Sequence, residues 1–157
     1  MQKLKVAVIG VGHLGKEHAR VYAGSPDVDL VGVVDVRQKQ AEDIAKTHNT
    51  RSFMDYRDVI GRVSAVSIAV PTKSHYAIAK EFLQQGIHVM IEKPMTGTVS
   101  EARELIDISK SKGVVLQAGY IERFNPAIVA VRKLSIKPKF IECHRLSPFS
   151  FRSADIG

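Results

Sequence analysis

Two stretches of this 157-residue chain combine residue types and spacing that can do chemistry. The first is Gly10-Val11-Gly12-His13-Leu14-Gly15, three glycines in a G-x-G-x-x-G spacing straight after the apolar run Val6 to Ile9. One such glycine permits a tight turn, one lets backbone N–H groups approach a pyrophosphate, and one lets the next helix pack closely on the strand. The amino end of that helix turns unpaired N–H groups and a partial positive charge towards the anion. The second stretch is Glu92-Lys93-Pro94, two charges and a proline at the end of the apolar run Ile87 to Ile91. A lysine held partly out of water beside cationic or cofactor groups exchanges protons near neutrality. A lysine with no such setting snorkels to solvent, and Glu92 then serves only to cap the next turn.

A third signal ties the first to a nucleotide. Asp35 closes the apolar run Val28 to Val34 and lies twenty residues after Gly15. That is the separation at which a dinucleotide-binding fold places the acid that accepts hydrogen bonds from the adenosine ribose. Arg37, two positions on, suits stacking on adenine or pairing with a 2′-phosphate. An acid at the strand end favours NAD, with NADP left open. The competing role for Asp35 is a cap on the helix that follows.

The elements that must position these residues alternate along the chain. Strands are expected at about Leu4 to Ile9, Val28 to Val34, Thr50 to Phe53, Ala65 to Val70, Ile87 to Ile91 and Val114 to Ala118. Helices are expected at about His13 to Ala23, Gln38 to Thr47, Asp55 to Ile60, Ser74 to Gln85, Ser100 to Ser111 and Ala127 to Leu134. Nearly continuous apolar strands separated by helices read as an α/β fold, a doubly wound parallel sheet of the Rossmann type. In such a sheet Pro71-Thr72 turns the chain outward into the crevice at the carboxyl ends of the strands. His75 starts the next helix, and its position alone reads as a surface histidine. Asn125 and Pro126 suit the cap and first position of the last helix.

Composition bounds the rest. The chain is 45% hydrophobic and 25% charged, the balance of a globular protein, and 157 residues suffice for one ordinary domain but not two complete ones. The net charge of +7 comes from scattered residues. Arg132, Lys133, Lys137 and Lys139 form the densest basic stretch, and apolar residues interrupt it, so nucleic acid is not expected as a partner. No apolar run is long enough to span a membrane or form a signal-peptide core, so the expected location is the cytoplasm. Cys143 is the one cysteine, which excludes an internal disulfide, and no metal site is expected.

The glycine turn, Asp35, Pro71-Thr72 with His75, Glu92-Lys93-Pro94, and Gly119-Tyr120 with Arg123 together resemble the glucose-fructose oxidoreductase, inositol dehydrogenase and rhizopine catabolism (Gfo/Idh/MocA) family of NAD(P)-dependent oxidoreductases. The resemblance implies that Gly10, Gly12, Gly15, Asp35, Pro71, Thr72 and His75 line the cofactor site, with His13, Leu14, Val36 and Arg37 in the same turns. It implies that Glu92 and Lys93 lie beside the nicotinamide, with Lys93 the catalytic group in contact with substrate. Tyr120 and Arg123 fall near the substrate pocket. The implied reaction moves a hydride between the nicotinamide and a secondary alcohol of a sugar, cyclitol or nucleotide sugar. Glu122 to Ala127 also resembles members that act on nucleotide-linked sugars.

Members of that family continue into a second, α+β domain that completes the pocket and forms a homo-oligomer interface. Residues 1–120 are therefore expected to form the dinucleotide-binding domain and 121–157 the incomplete start of the second, with a strand over Phe140 to Leu146 and a tail holding Phe149 and Phe151. The chain reads as truncated, which leaves the catalytic His and the Asp or Asn of the second domain unassigned. The alternative reading is a non-catalytic dinucleotide-binding module that senses redox state or scaffolds a partner.

Overall fold

The computed structural model describes residues 2–134, 137–142, 144 and 146. The chain divides into two compact units, Met1–Gly119 and Tyr120–Gly157.

The first unit holds one six-stranded sheet, β1 (Leu4–Ile9), β2 (Val28–Val34), β3 (Arg51–Phe53), β4 (Ala65–Ile68), β5 (His88–Ile91) and β6 (Leu116–Ala118), in the order β3-β2-β1-β4-β5-β6. Every neighbouring pair is parallel. Four helices connect the strands: α1 (Gly15–Gly24), α2 (Gln38–Thr47), α3 (His75–Gln84) and α4 (Val99–Lys112). Side chains alternate across each strand, so each face of the sheet has its own core. Ala7, Ile9, Val34, Val66, Ile68, Val89 and Ile91 meet Ile78, Phe82, Leu83 and Leu105 of α3 and α4. Val8 and Val33 point the other way, to Ala19 of α1 and Ala45 of α2. The doubly wound parallel sheet expected from the alternating apolar runs is therefore present. Its winding reverses between β1 and β4, which opens a crevice at their carboxyl ends.

Local chemistry explains the boundaries. Thr98 accepts a hydrogen bond from the Glu101 N–H while the Glu101 carboxylate accepts one from Thr98 N–H, a reciprocal cap that starts α4 one residue earlier than expected. Gly113 closes the same helix with φ of 65°. The helix expected over Asp55 to Ile60 is a single 3-10 turn, Tyr56–Val59, too short to settle into an α-helix before Gly61 reverses the chain at φ 77°.

In the second unit a 3-10 turn, Ile121–Phe124, precedes α5 (Pro126–Lys133), where Asn125 caps the Ala127 N–H and Pro126 takes the first helical position. The strand expected over Phe140 to Leu146 is absent from its described residues, 140–142, 144 and 146. Cys143, Phe149 and Phe151 lie outside the described residues.

Candidate active site

The candidate residues of the first unit sit on one rim because the backbone ladders extend one residue past the strands. Gly10 N–H donates to Val34 O at 2.7 Å, Asp35 N–H to Phe53 O at 3.2 Å, Glu92 N–H to Ile68 O at 2.9 Å and Gly119 N–H to Ile91 O at 2.8 Å. The first residue after each of β1, β2, β5 and β6 is thereby held in register with its neighbour.

The three glycines of the turn have different physical reasons to be glycine. Gly10 has φ of +83°, and a Cβ there would lie 2.7 Å from Ala69 O across the switch point. A Cβ on Gly15 would lie 1.8 Å from Gly10 O, so the start of α1 packs against the turn it leaves. At Gly12 the protein imposes nothing, since a Cβ would meet only Gln40 Nε2 at 3.9 Å and Arg37 Nη2 at 4.0 Å. The room kept at Gly12 opens into a cleft of about 610 Å³ lined by Val11, Gly12, His13, Lys16, Arg37 and Gln40 among others, a size suited to a small molecule. A cradle that a methyl group would fill, edged by basic side chains, fits the diphosphate and adenosine of a dinucleotide.

Asp35 is buried at 8% exposure, and its carboxylate is already oriented. Oδ2 accepts from Val11 N–H at 3.1 Å, and Oδ1 accepts from Arg37 N–H at 2.9 Å. The longer contacts, from Gln40 Nε2 and Arg37 Nε, are both 3.4 Å. They leave acceptor capacity that a ribose diol can take. Asp35 does not cap α2, whose cap position is Arg37. Val36, beside it, is exposed at 82%.

On the other side of the switch point, Pro71 precedes a 3-10 turn, Thr72–Ser74, that leads into α3. His75 corrects the surface reading, because it is 1% exposed. Its Nδ1 lies 2.9 Å from Pro94 O and its Nε2 2.8 Å from Val70 O. It therefore fastens the chain after β4 to the turn that carries Lys93. The signal was its helical phase, because His75 shares one face of α3 with Ile78, Ala79, Phe82 and Leu83.

Glu92 is 7% exposed, and its Oε2 accepts from Lys93 N–H at 3.2 Å. Lys93 precedes the one cis peptide bond among the described residues, Lys93–Pro94. The Lys93 side chain is exposed, so the partial desolvation expected for it is not supplied by the first unit. Tyr120 and Arg123 belong to the second unit, where Arg123 N–H donates to Tyr120 O at 3.1 Å.

Sequence reasoning missed three side chains at this rim. Gln40 Nε2 donates to Val11 O at 2.6 Å and steadies the glycine turn. His18 Nδ1 lies 2.7 Å from Ser67 Oγ, and its Nε2 lies 3.1 Å from Glu92 Oε1. Two signals for the last pair were available. Ser67 interrupts the apolar run Val66 to Ile68, and His18 adjoins Ala19 on the buried face of α1.

Parallel strands wound to both sides of β1, a glycine turn at the switch point and an acid at the end of β2 define a Rossmann-type nucleotide-binding domain. Residues 4–120 match a family described as oxidoreductases with an NAD-binding Rossmann fold, and the chain belongs to that Gfo/Idh/MocA family. It is 40% identical over 157 residues to UDP-N-acetylglucosamine 3-dehydrogenase of Acidithiobacillus ferrooxidans, covering 99% of this chain and 50% of that one. It is 35% identical over 125 residues to D-glucoside 3-dehydrogenase of Escherichia coli, covering 77% of this chain and 36% of that one. The chain thus spans half or less of the length of these relatives. The solved structure of the Acidithiobacillus ferrooxidans enzyme superposes with a TM-score of 0.91 at 39% identity, over 99% of this chain and 51% of that one. GenD2 from gentamicin A biosynthesis, solved in complex with NAD, superposes with a TM-score of 0.83 at 32% identity, over 85% of this chain and 39% of that one. Among the described residues no helix is long and apolar enough to cross a membrane, and no group of three His, Cys, Asp or Glu could hold a metal ion.

Proposed function

We propose that the chain binds NAD(H) across the carboxyl ends of β1, β2, β4 and β5, and that the protein it belongs to oxidises a secondary alcohol of a sugar, cyclitol or nucleotide sugar. The observation that carries the binding is the room kept at Gly12 between the Asp35 carboxylate and the start of α1. The diphosphate lies over Gly10 to Gly15, with His13 and Leu14 in the same turn. The adenosine ribose meets Asp35, and Val36 and Arg37 flank the adenine. Pro71 and Thr72 line the other wall, His75 supports it from behind, and Glu92 and Lys93 face the nicotinamide.

Bound NAD supplies the hydride acceptor. As the carbon-bound hydrogen of the alcohol leaves with its electron pair, Lys93 moves or stabilises the hydroxyl proton, and the carbonyl product is left. Tyr120 and Arg123 contact the substrate in this reading. Residues 1–120 form the dinucleotide-binding domain and 121–157 begin the substrate domain of a cytoplasmic homo-oligomer. The names of the two relatives direct the first substrate panel to nucleotide sugars and glucosides.

Calorimetric titration with NADH and NADPH tests the binding, with NADH expected to bind more tightly because Asp35 repels a 2′-phosphate. Absence of binding at millimolar concentration of either would refute the reading. Reduction of NAD over the panel, in a protein extended to the length of its relatives, tests the reaction. NADH binding without turnover of any panel member would favour a non-catalytic module.

A further inference from the structure

A buried carboxylate is costly unless its oxygens are met by donors, and Glu92 meets this condition in an uncommon way. Its neighbour just past β6 is Gly119, where a Cβ would lie 2.9 Å from Oε1 and 3.2 Å from Oε2, so the carboxylate occupies the space a side chain would take. Within the first unit the Lys93 N–H donates to it at 3.2 Å, and His18 Nε2 lies 3.1 Å from Oε1, within ion-pair distance. His18 is in turn held by wholly buried Ser67 of β4, 2.7 Å from Nδ1. It stands on α1 four residues after Leu14, whose carbonyl accepts its backbone N–H at 3.2 Å. One imidazole therefore links the helix that begins at the glycine turn to the backbone that carries Lys93.

We propose that His18 is a positioning residue: it locks the Glu92 carboxylate, and through it the Lys93 backbone, to the amino end of α1. The consequence, which rests on the dinucleotide reading, is that seating a diphosphate on α1 also sets the turn that aims Lys93. His75, from α3, holds Pro94 O at 2.9 Å and steadies the far side of the same turn, but it does not lead to the glycine turn.

Two substitutions separate positioning from general structural support. His18→Asn places an amide where Nδ1 stands, keeping Ser67 and giving up the reach to Glu92. His18→Gln carries its amide out to where Nε2 stands, keeping Glu92. Amide hydrogen exchange of the full chain, read residue by residue by NMR, reports on the Lys93 N–H directly. His18→Asn is expected to speed Lys93 exchange about tenfold or more while α2 amides stay unchanged, and His18→Gln to return it to within about threefold of wild type. Unchanged Lys93 exchange in His18→Asn, equal acceleration in both variants, or acceleration that extends through α2 would each overturn the proposal. Titration of the wild-type chain with NADH is a separate arm. Failure to bind refutes the dinucleotide reading, while the exchange data still decide the role of His18.

Discussion

Alanine at Gly12 and at Gly15 should have opposite effects, although both glycines belong to one short motif. At Gly15 the new Cβ would sit 1.8 Å from Gly10 O and 2.8 Å from Gly10 C, both backbone atoms, so α1 must move by more than an ångström or the turn must open. Overpacking against backbone of this kind costs about 3 kcal/mol or more, which for a domain of this size lowers the melting temperature by about 10 °C. At Gly12 the nearest atoms are 3.9 and 4.0 Å away and belong to flexible side chains. Alanine there leaves stability unchanged or raises it by about 0.4–1 kcal/mol through the unfolded chain. It does place a methyl group where the diphosphate approaches, and a loss of about 1.4 kcal/mol or more raises the Kd for NADH at least about tenfold. Thermal melts and NADH calorimetry on the two variants read both quantities. A Gly12→Ala chain that binds NADH like the wild type would refute the placement of the diphosphate over that residue. A Gly15→Ala chain with an unaltered melting temperature would refute the close packing of α1 on the turn.

Three further outcomes are expected. In a protein extended to the length of its relatives, Lys93→Ala should lower kcat by about a hundredfold or more while NADH affinity stays within about threefold, and retained turnover would remove Lys93 from the reaction. Burial, and then the hydrogen bond to Glu81, pushes the Tyr56 phenol from 10.0 up to about 12. The fold therefore favours the protonated phenol, and its contribution to stability is full below pH 10 and lost as the pH rises towards 12. In a chain with no tryptophan, tyrosinate absorbance should show a late titration that Tyr56→Phe removes. Hydrogen bonds from Lys80 and then Tyr76 hold the Glu104 carboxyl below its ordinary value and tie α3 to α4. That contribution is present above the unfolded value of 4.5 and fades as the pH falls through the folded one, so Glu104→Gln should flatten the acid limb of a melting-temperature profile.

The fold was legible because its signals are local. Val6 to Ile9 is an apolar run, and Val28 to Val34 and Val66 to Ile68 are each broken by one polar residue, a pattern that a sheet covered on both faces uses, and turn glycines and prolines punctuate them. The candidate site was legible where one stretch carries both the chemistry and its placement, as at Gly10 to Gly15, Asp35 and Glu92 to Pro94. Legibility ended where a residue's role depends on a partner from another element. Position along α3 cannot tell that the His75 ring is closed between Val70 O and Pro94 O. Nothing near Phe140 in sequence tells whether a ladder partner is at hand.

The amino-acid sequence by itself determined the order of strands and helices, the glycine turn, the acid twenty residues beyond it and the family to which the chain belongs. Each depends on residue type and short spacing, which survive without coordinates. Only the tertiary structure separated Gly12, kept open towards the cleft, from Gly15, required by packing. It alone set His18 between Ser67, 49 residues away, and the Glu92 carboxylate. The physical reason is that a buried polar group takes its donors from whichever elements the sheet lays beside it, and in a doubly wound sheet those elements are distant in the chain.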